Sequence, residues 1–227
     1  MFKSMMRKEL METLPITVIA LLIYGGTLLG NLIDAIWKAG GRPFDQLPAN
    51  FSEYLAGRMP VDLEQGFWIM PLIFALALGL VQTLSDSVQG TWGYLMHLPP
   101  GRRKVIATKL TVGVTAYLSC TGLFILACVT VALRMSSPEY PLEWPMVSPY
   151  VQLMLIGVLI YLGTFLSGLR PARWYGSRLI PLARCCMVAW VLAILSEWWI
   201  VSLLVLSVVC GMLVCVILQI GGTRDFA

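Results

Sequence analysis

Apolar residues come in six long runs along this chain. Each is close to the roughly 20 residues that an α-helix needs to cross the hydrocarbon core of a bilayer. The runs cover 15–37, 66–88, 105–133, 147–169, 179–195 and 198–220. They predict an all-α polytopic membrane protein with six transmembrane helices. The third run is long enough to tilt or to protrude. Only Ser196 and Glu197 separate the last two, which predicts a tight hairpin. Ahead of the first run, Phe2, Met6, Leu10 and Met11 alternate with Lys3 and Arg7 at helical spacing. This predicts an amphipathic interfacial helix over 1–14 that lies flat before the chain turns into the bilayer at Pro15. The first apolar run is too long for a cleavable signal, and no small-residue cleavage motif follows it.

Composition supports the membrane reading. Of the 227 residues, 58% are hydrophobic and 12% charged. A soluble domain of this size has too much surface for its volume to hide so much apolar area, whereas a bilayer accepts it. The length suits a single domain over 1–227.

The positions of the charges matter more than the net +4. With six spans, one side carries Lys3, Arg7, Lys8, Arg102, Arg103, Lys104, Lys109, Arg170, Arg173, Arg178, Arg184 and Arg224. The other side carries Lys38, Arg42, Arg58 and Arg134. The positive-inside rule then puts both termini in the cytoplasm. In a bacterium this is the cytoplasmic, or inner, membrane. Trp37, Trp68, Trp144, Trp198 and Trp199 fall at the outer boundaries, as an aromatic belt requires. The outer loop 38–65 is broken by Pro43, Pro48 and Pro60, and leaves room only for a short interfacial helix over 50–57. No broad basic face lies outside the membrane boundaries, so nucleic acid is not an expected partner.

The sequence shows little reactive chemistry. It has no GxxxxGK[ST], no HExxH and no GxSxG. His97 is the only histidine and has no nearby Cys or Ser nucleophile. Cys120, Cys128, Cys185, Cys186, Cys210 and Cys215 lie in or beside apolar runs and read as small hydrophobes. Catalytic, cofactor-binding and metal-ligating residues are therefore not expected, and the chain does not read as an enzyme. Asp34 and Asp86 lie near span ends. The scarcity of charge within the spans argues against a proton- or sodium-driven carrier. Asn31, Gln82, Gln152 and Gln219 read either as interhelical hydrogen bonds or as the lining of a substrate path.

The most informative stretch is SDSVQGTWGYLMHLPPGRRKVIATKL, 85–110. Gly90 and Thr91 open a turn. Trp92, Tyr94, Leu95 and Met96 make a short apolar face, and Pro99-Pro100-Gly101 ends any helix there. Arg102, Arg103 and Lys104 follow, then Lys109 about a turn and a half into the next span. A basic cluster alone serves as a topological anchor. An aromatic helix ahead of it, on the cytoplasmic side, is suited to docking in a partner's groove.

This stretch resembles the signature of ABC-2 type transporter permeases, the membrane subunits of a class of ABC exporters. That loop usually reads as an acid, three residues, Gly-Thr, a short hydrophobic helix, Leu-x-x-Pro, a basic residue and a Lys in the third span. Asp86, Gly90, Thr91, Leu95, Leu98, Pro99, Arg102 or Arg103, and Lys109 take those positions. Asp replaces the more usual Glu, and Pro100-Gly101 replaces a small or apolar pair. The re-entrant helices that many relatives carry between the last two spans are nearly absent.

The resemblance implies a permease that works as a dimer, with a second copy or a sister permease. Two separate cytoplasmic ABC ATPase subunits would bind ATP and Mg, with no cofactor on this chain. It implies that Trp92, Tyr94, Leu95 and Met96 dock in the ATPase and that Arg102, Arg103 and Lys104 pair with its acids or with lipid phosphates. The interfacial helix of Phe2, Met6, Arg7, Leu10 and Met11 would pass the motion on. The second basic loop, with Arg170, Arg173, Arg178 and Arg184, reads as an ATPase contact, an anionic-lipid binder or a plain anchor. A lipid, a hydrophobic peptide or an amphipathic drug would suit the apolar path. Two other readings stand beside this one. One is a membrane scaffold or sensor that binds an ATPase without transport. The other is the membrane subunit of an uptake system, whose coupling motifs Ala172-Arg173 and Ala183-Arg184 slightly resemble.

Overall fold

The computed structural model describes residues 2–38, 69–88, 102–135, 144–169, 175–194 and 198–223. These form six α-helices, with no strand among the described residues. They are α1 (Phe2–Lys38), α2 (Met70–Val88), α3 (Arg102–Met135), α4 (Trp144–Leu169), α5 (Tyr175–Ile194) and α6 (Trp199–Thr223). Pro71 and Pro145 stand at the second position of α2 and α4, where a missing N–H costs no helical hydrogen bond.

Four stretches are long and apolar enough to cross a membrane: Met5–Gly30, Arg103–Leu133, Val147–Leu169 and Trp199–Ile220. The chain is therefore a transmembrane protein. The apolar parts of α2 and α5, Met70–Ser85 and Leu179–Ile194, are shorter. At 1.5 Å per residue each covers about 24 Å, against about 30 Å for the hydrocarbon core.

Helix α4 is the centre of the bundle. It packs against α2, α3, α5 and α6, while α1 lies across α3 and α2. Its most apolar stretch is 72% buried, against 17% for those of α1 and α6. Large apolar side chains face outward on the peripheral helices, among them Leu22, Met187, Trp190, Leu204 and Met212. In lipid such a face carries no hydrophobic penalty, so close packing and polar contacts must hold the helices together.

Helices α3 and α4 exchange tyrosines for glycines. Gly113 on α3 faces the Tyr161 hydroxyl of α4, and Gly157 on α4 faces the Tyr117 hydroxyl of α3. Each tyrosine lies four residues beyond its own helix's glycine, so the two helices run antiparallel and exchange a knob for a notch. A Cβ at Gly113 would also meet Gln82 Oε1 at 2.5 Å. By contrast, a Cβ at Gly122, two turns further along α3, would meet only Met154 Sδ at 4.0 Å.

Helices α1 and α3 run parallel. Glu9 meets Lys109, the Thr17 carbonyl meets Cys120, and the Tyr24 ring stacks on Phe124. All six cysteines are free, and Cys120, Cys128 and Cys185 are buried as small hydrophobes.

Two expectations about the path of the chain are revised. No separate interfacial helix ends at Pro15, because α1 runs unbroken through it. Glu9, Thr13, Ala20 and Tyr24 make one buried stripe on both sides of Pro15, and packing carries the helix through the proline. The last two helices are also not a side-by-side hairpin, since α5 and α6 each pack along α4. Gln152 of α4 gathers their adjoining ends, donating to the Leu192 carbonyl at 2.8 Å and to Ser202 Oγ at 2.8 Å. The expected helix over 50–57, the aromatic helix of 92–96 and His97 lie outside the described residues.

Overpacking a tight contact typically costs about 1–3 kcal/mol. Gly157→Ala should therefore lower the thermal unfolding midpoint of the purified chain by several degrees. Gly122→Ala should leave it unchanged or raise it. Equal midpoints for the two variants would contradict the α3–α4 exchange.

Candidate functional site

The residues expected to meet a partner divide into three groups. Gly90, Thr91, Trp92, Tyr94, Leu95, Met96, Leu98 and Pro99 lie outside the described residues, as do Arg170 and Arg173. Asp86, Arg102, Arg178 and Phe2 lie within α2, α3, α5 and α1, but their side chains are not among those described. The others have clear positions. Arg103 and Lys104 are exposed in the first turn of α3, and Arg184 is exposed on α5. Met6, Arg7, Leu10 and Met11 are exposed on α1, with Met11 58% accessible.

Lys109 departs from this surface. Its side chain is fully buried, and Nζ donates to both carboxylate oxygens of Glu9, at 2.7 Å to Oε1 and 2.8 Å to Oε2. Lys104, five residues earlier, points outward. The same α3 turn region thus carries one cation on the surface and one inside the bundle.

Four helices meet at this point. Tyr161 of α4 donates to Gln82 Oε1 at 2.6 Å, and Gln82 Nε2 of α2 donates to the Lys109 carbonyl at 3.2 Å. Gln82, Tyr161 and Lys109 are all buried. The absence of a side chain at Gly113 admits both Tyr161 and Gln82. Thr13 lies one turn past Glu9 and donates its hydroxyl back to the Glu9 carbonyl at 3.0 Å. The junction therefore ties the starts of α1 and α3 to α2 and α4 through charge and hydrogen bonds. Outside it, Lys8 and Glu12 form a 3.5 Å pair on the exposed side of α1, where solvent weakens such a contact.

Sequence reasoning marked Lys109 and Gln82 but not Glu9. Glu9 sits among Arg7, Lys8 and Glu12 and reads as one more charge on an interfacial helix. A faint signal exists, since Glu9, Thr13, Ala20 and Tyr24 fall on one helical stripe. The partner lies 100 residues away, however, and no local pattern names it. Gln82 and Gln152 resolve as interhelical hydrogen bonds rather than as exposed path lining.

The junction holds groups in place and shows no arrangement for bond making. It contains no nucleophile paired with a base. Among the described residues, no group of three or more His, Cys, Asp or Glu side chains is placed to hold a metal ion. A scan against protein-family models, a search of curated proteins and a search of solved structures each return no match.

Removing one partner of a buried ion pair leaves an uncompensated charge and costs about 3–5 kcal/mol, whereas replacing both by apolar residues is close to neutral. Lys109→Met and Glu9→Leu should each lower the unfolding midpoint sharply. The double variant should recover most of the loss. A wild-type midpoint for Lys109→Met alone would contradict the pairing.

Proposed function

We propose that this chain is the permease subunit of an ATP-driven exporter of the ABC-2 type. It spans the membrane six times, with both termini in the cytoplasm. It works as a dimer with a second copy or a sister permease, and separate ATPase subunits bind ATP and Mg. Its cargo is lipophilic: a lipid, a hydrophobic peptide or an amphipathic drug.

The reading rests on the loop between α2 and α3. Asp86 in the last turn of α2 leads into it; it carries Gly90-Thr91, Trp92, Tyr94, Leu95 and Met96, then Leu98-Pro99, and the basic run 102–104 opens α3. An aromatic segment ended by prolines suits a groove on a cytoplasmic partner better than it suits a free loop. Residues 1–227 contain no P-loop, and in this reading ATP is bound by a separate subunit.

The geometry adds a physical route for the motion. The loop feeds directly into α3, and two turns later Lys109 is clamped to Glu9 of α1 and to Gln82 of α2. A push on the loop would then move α1, α2 and α3 together rather than bend one helix. The exposed Arg103 and Lys104 would meet acidic groups of the ATPase or lipid phosphates. The outward face of Met6, Leu10 and Met11 would rest in the interfacial layer.

The double substitution Leu95→Asp/Met96→Asp in the reconstituted permease–ATPase complex tests the coupling. ATPase stimulation should fall to the rate of the free ATPase, while the permease keeps its unfolding midpoint. Full stimulation by the doubly substituted permease would refute the coupling role of the loop.

A further inference from the structure

Four aromatic rings from α1, α2 and α3 pack in series beside a set of buried hydroxyl groups. Tyr24 stacks on Phe124 with centroids 4.8 Å apart and meets Phe74 edge-on at 6.3 Å. Phe74 stacks on Tyr117 at 5.6 Å. Beside these rings lie the hydroxyls of Tyr24, Tyr117 and Thr121, on residues 3%, 0% and 0% exposed. Thr121 is one turn past Tyr117 on α3, and it lies beside both phenols.

None of these three oxygens makes a hydrogen bond of proper length and angle within the protein. The contrast with the other buried threonines is sharp. Thr13, Thr83, Thr108 and Thr164 each donate to the carbonyl four residues back, at 2.7–3.0 Å. That is the usual way a hydroxyl is satisfied inside a membrane helix. Thr121 does not do this, although its own helix offers the same acceptor. Three neighbouring buried hydroxyls without partners would carry a heavy desolvation penalty, and such groups are rare in native proteins.

Hydroxyls that lie near one another yet are not bonded are the setting in which a bridging water forms. We propose that Tyr24, Tyr117 and Thr121 form a binding site for one water molecule, which joins α1 to α3. The chemistry selects the ligand. Each hydroxyl can donate or accept, and a buried water typically makes about three hydrogen bonds. Metal cations are disfavoured because the three ligands are neutral hydroxyls. Larger guests are excluded because the four rings are packed against one another and are at most 5% exposed. Helix α1 would then be held to α3 at two levels, by the Glu9–Lys109 pair and by the water about 18 Å further along α3. This inference does not depend on the proposed transport role.

The sign of a stability change tests it. Tyr24→Phe, Tyr117→Phe and Thr121→Val should each lower the unfolding midpoint of the full chain in detergent. The double variant Tyr24→Phe/Thr121→Val should lose less than the two singles together, and Thr121→Ser should stay near wild type. If the hydroxyls are merely orphaned, deleting one removes a desolvation penalty and the midpoint rises. A rise, no change, or strictly additive losses would overturn the proposal. A high-resolution structure supplies a second check. Ordered water within hydrogen-bond distance of all three oxygens is expected, and a direct Tyr24–Thr121 hydrogen bond in its place would overturn the assignment.

Discussion

Glycines on α3 and α4 each admit the tip of a tyrosine from the facing helix, and the placement of the polar groups follows from that exchange. Gly113 and Gly157 supply the notches, and Tyr161 and Tyr117 fill them. In lipid, where burial of apolar surface gives no drive between helices, such close contact is a main source of association. The exchange also fixes register. With Tyr161 seated beside Gly113, its hydroxyl reaches Gln82, and Gln82 in turn reaches the backbone of Lys109. The side chain of Lys109 is left to face α1, where Glu9 receives it. With Tyr117 seated beside Gly157, its hydroxyl comes to lie near Thr121 and Tyr24. One packing event thus bears on both the charged junction and the hydroxyl cluster.

The bilayer explains why the remaining polar groups are placed as they are. An unsatisfied polar atom has no water to turn to in hydrocarbon. Threonines bond back to their own helices, and Gln152 bonds to two helices at once. Pro181 interrupts the helical pattern of α5, and the adjoining Leu182 N–H donates to Ser167 of α4 at 3.1 Å. The Glu9–Lys109 pair is the costly case, since two desolvated charges are offset only by good geometry and hydrogen bonds. Both carboxylate oxygens contact the ammonium, and the Lys109 backbone is itself engaged. The pair is buried inside the bundle, near the starts of α1 and α3.

Much of the helical layout was legible in the sequence, because an apolar run of bilayer length has few other uses. The continuation of α1 through Pro15 was not, since local chemistry places a break there and only packing on α3 overrides it. The splitting of α5 from α6 was equally hidden, since the few residues between them say nothing about which neighbour each helix prefers. At the site, Lys109 was marked by its position in the loop pattern, and Gln82 by being polar in an apolar run. Glu9 was not, because its meaning comes from a residue on another helix. The glycine–tyrosine spacing of four recurs in α3 and α4, yet it becomes a signal only once the two helices are known to be antiparallel partners.

In the proposed permease, the loop after α2 receives force and the charged junction spreads it over three helices. Recovery of the chain in mild detergent from its native membrane, followed by mass spectrometry and an ATP hydrolysis assay, tests this account most directly. The account predicts a stoichiometric P-loop ATPase in the same particle, with hydrolysis that depends on the permease. Recovery of the intact, folded chain without an ATPase would contradict it.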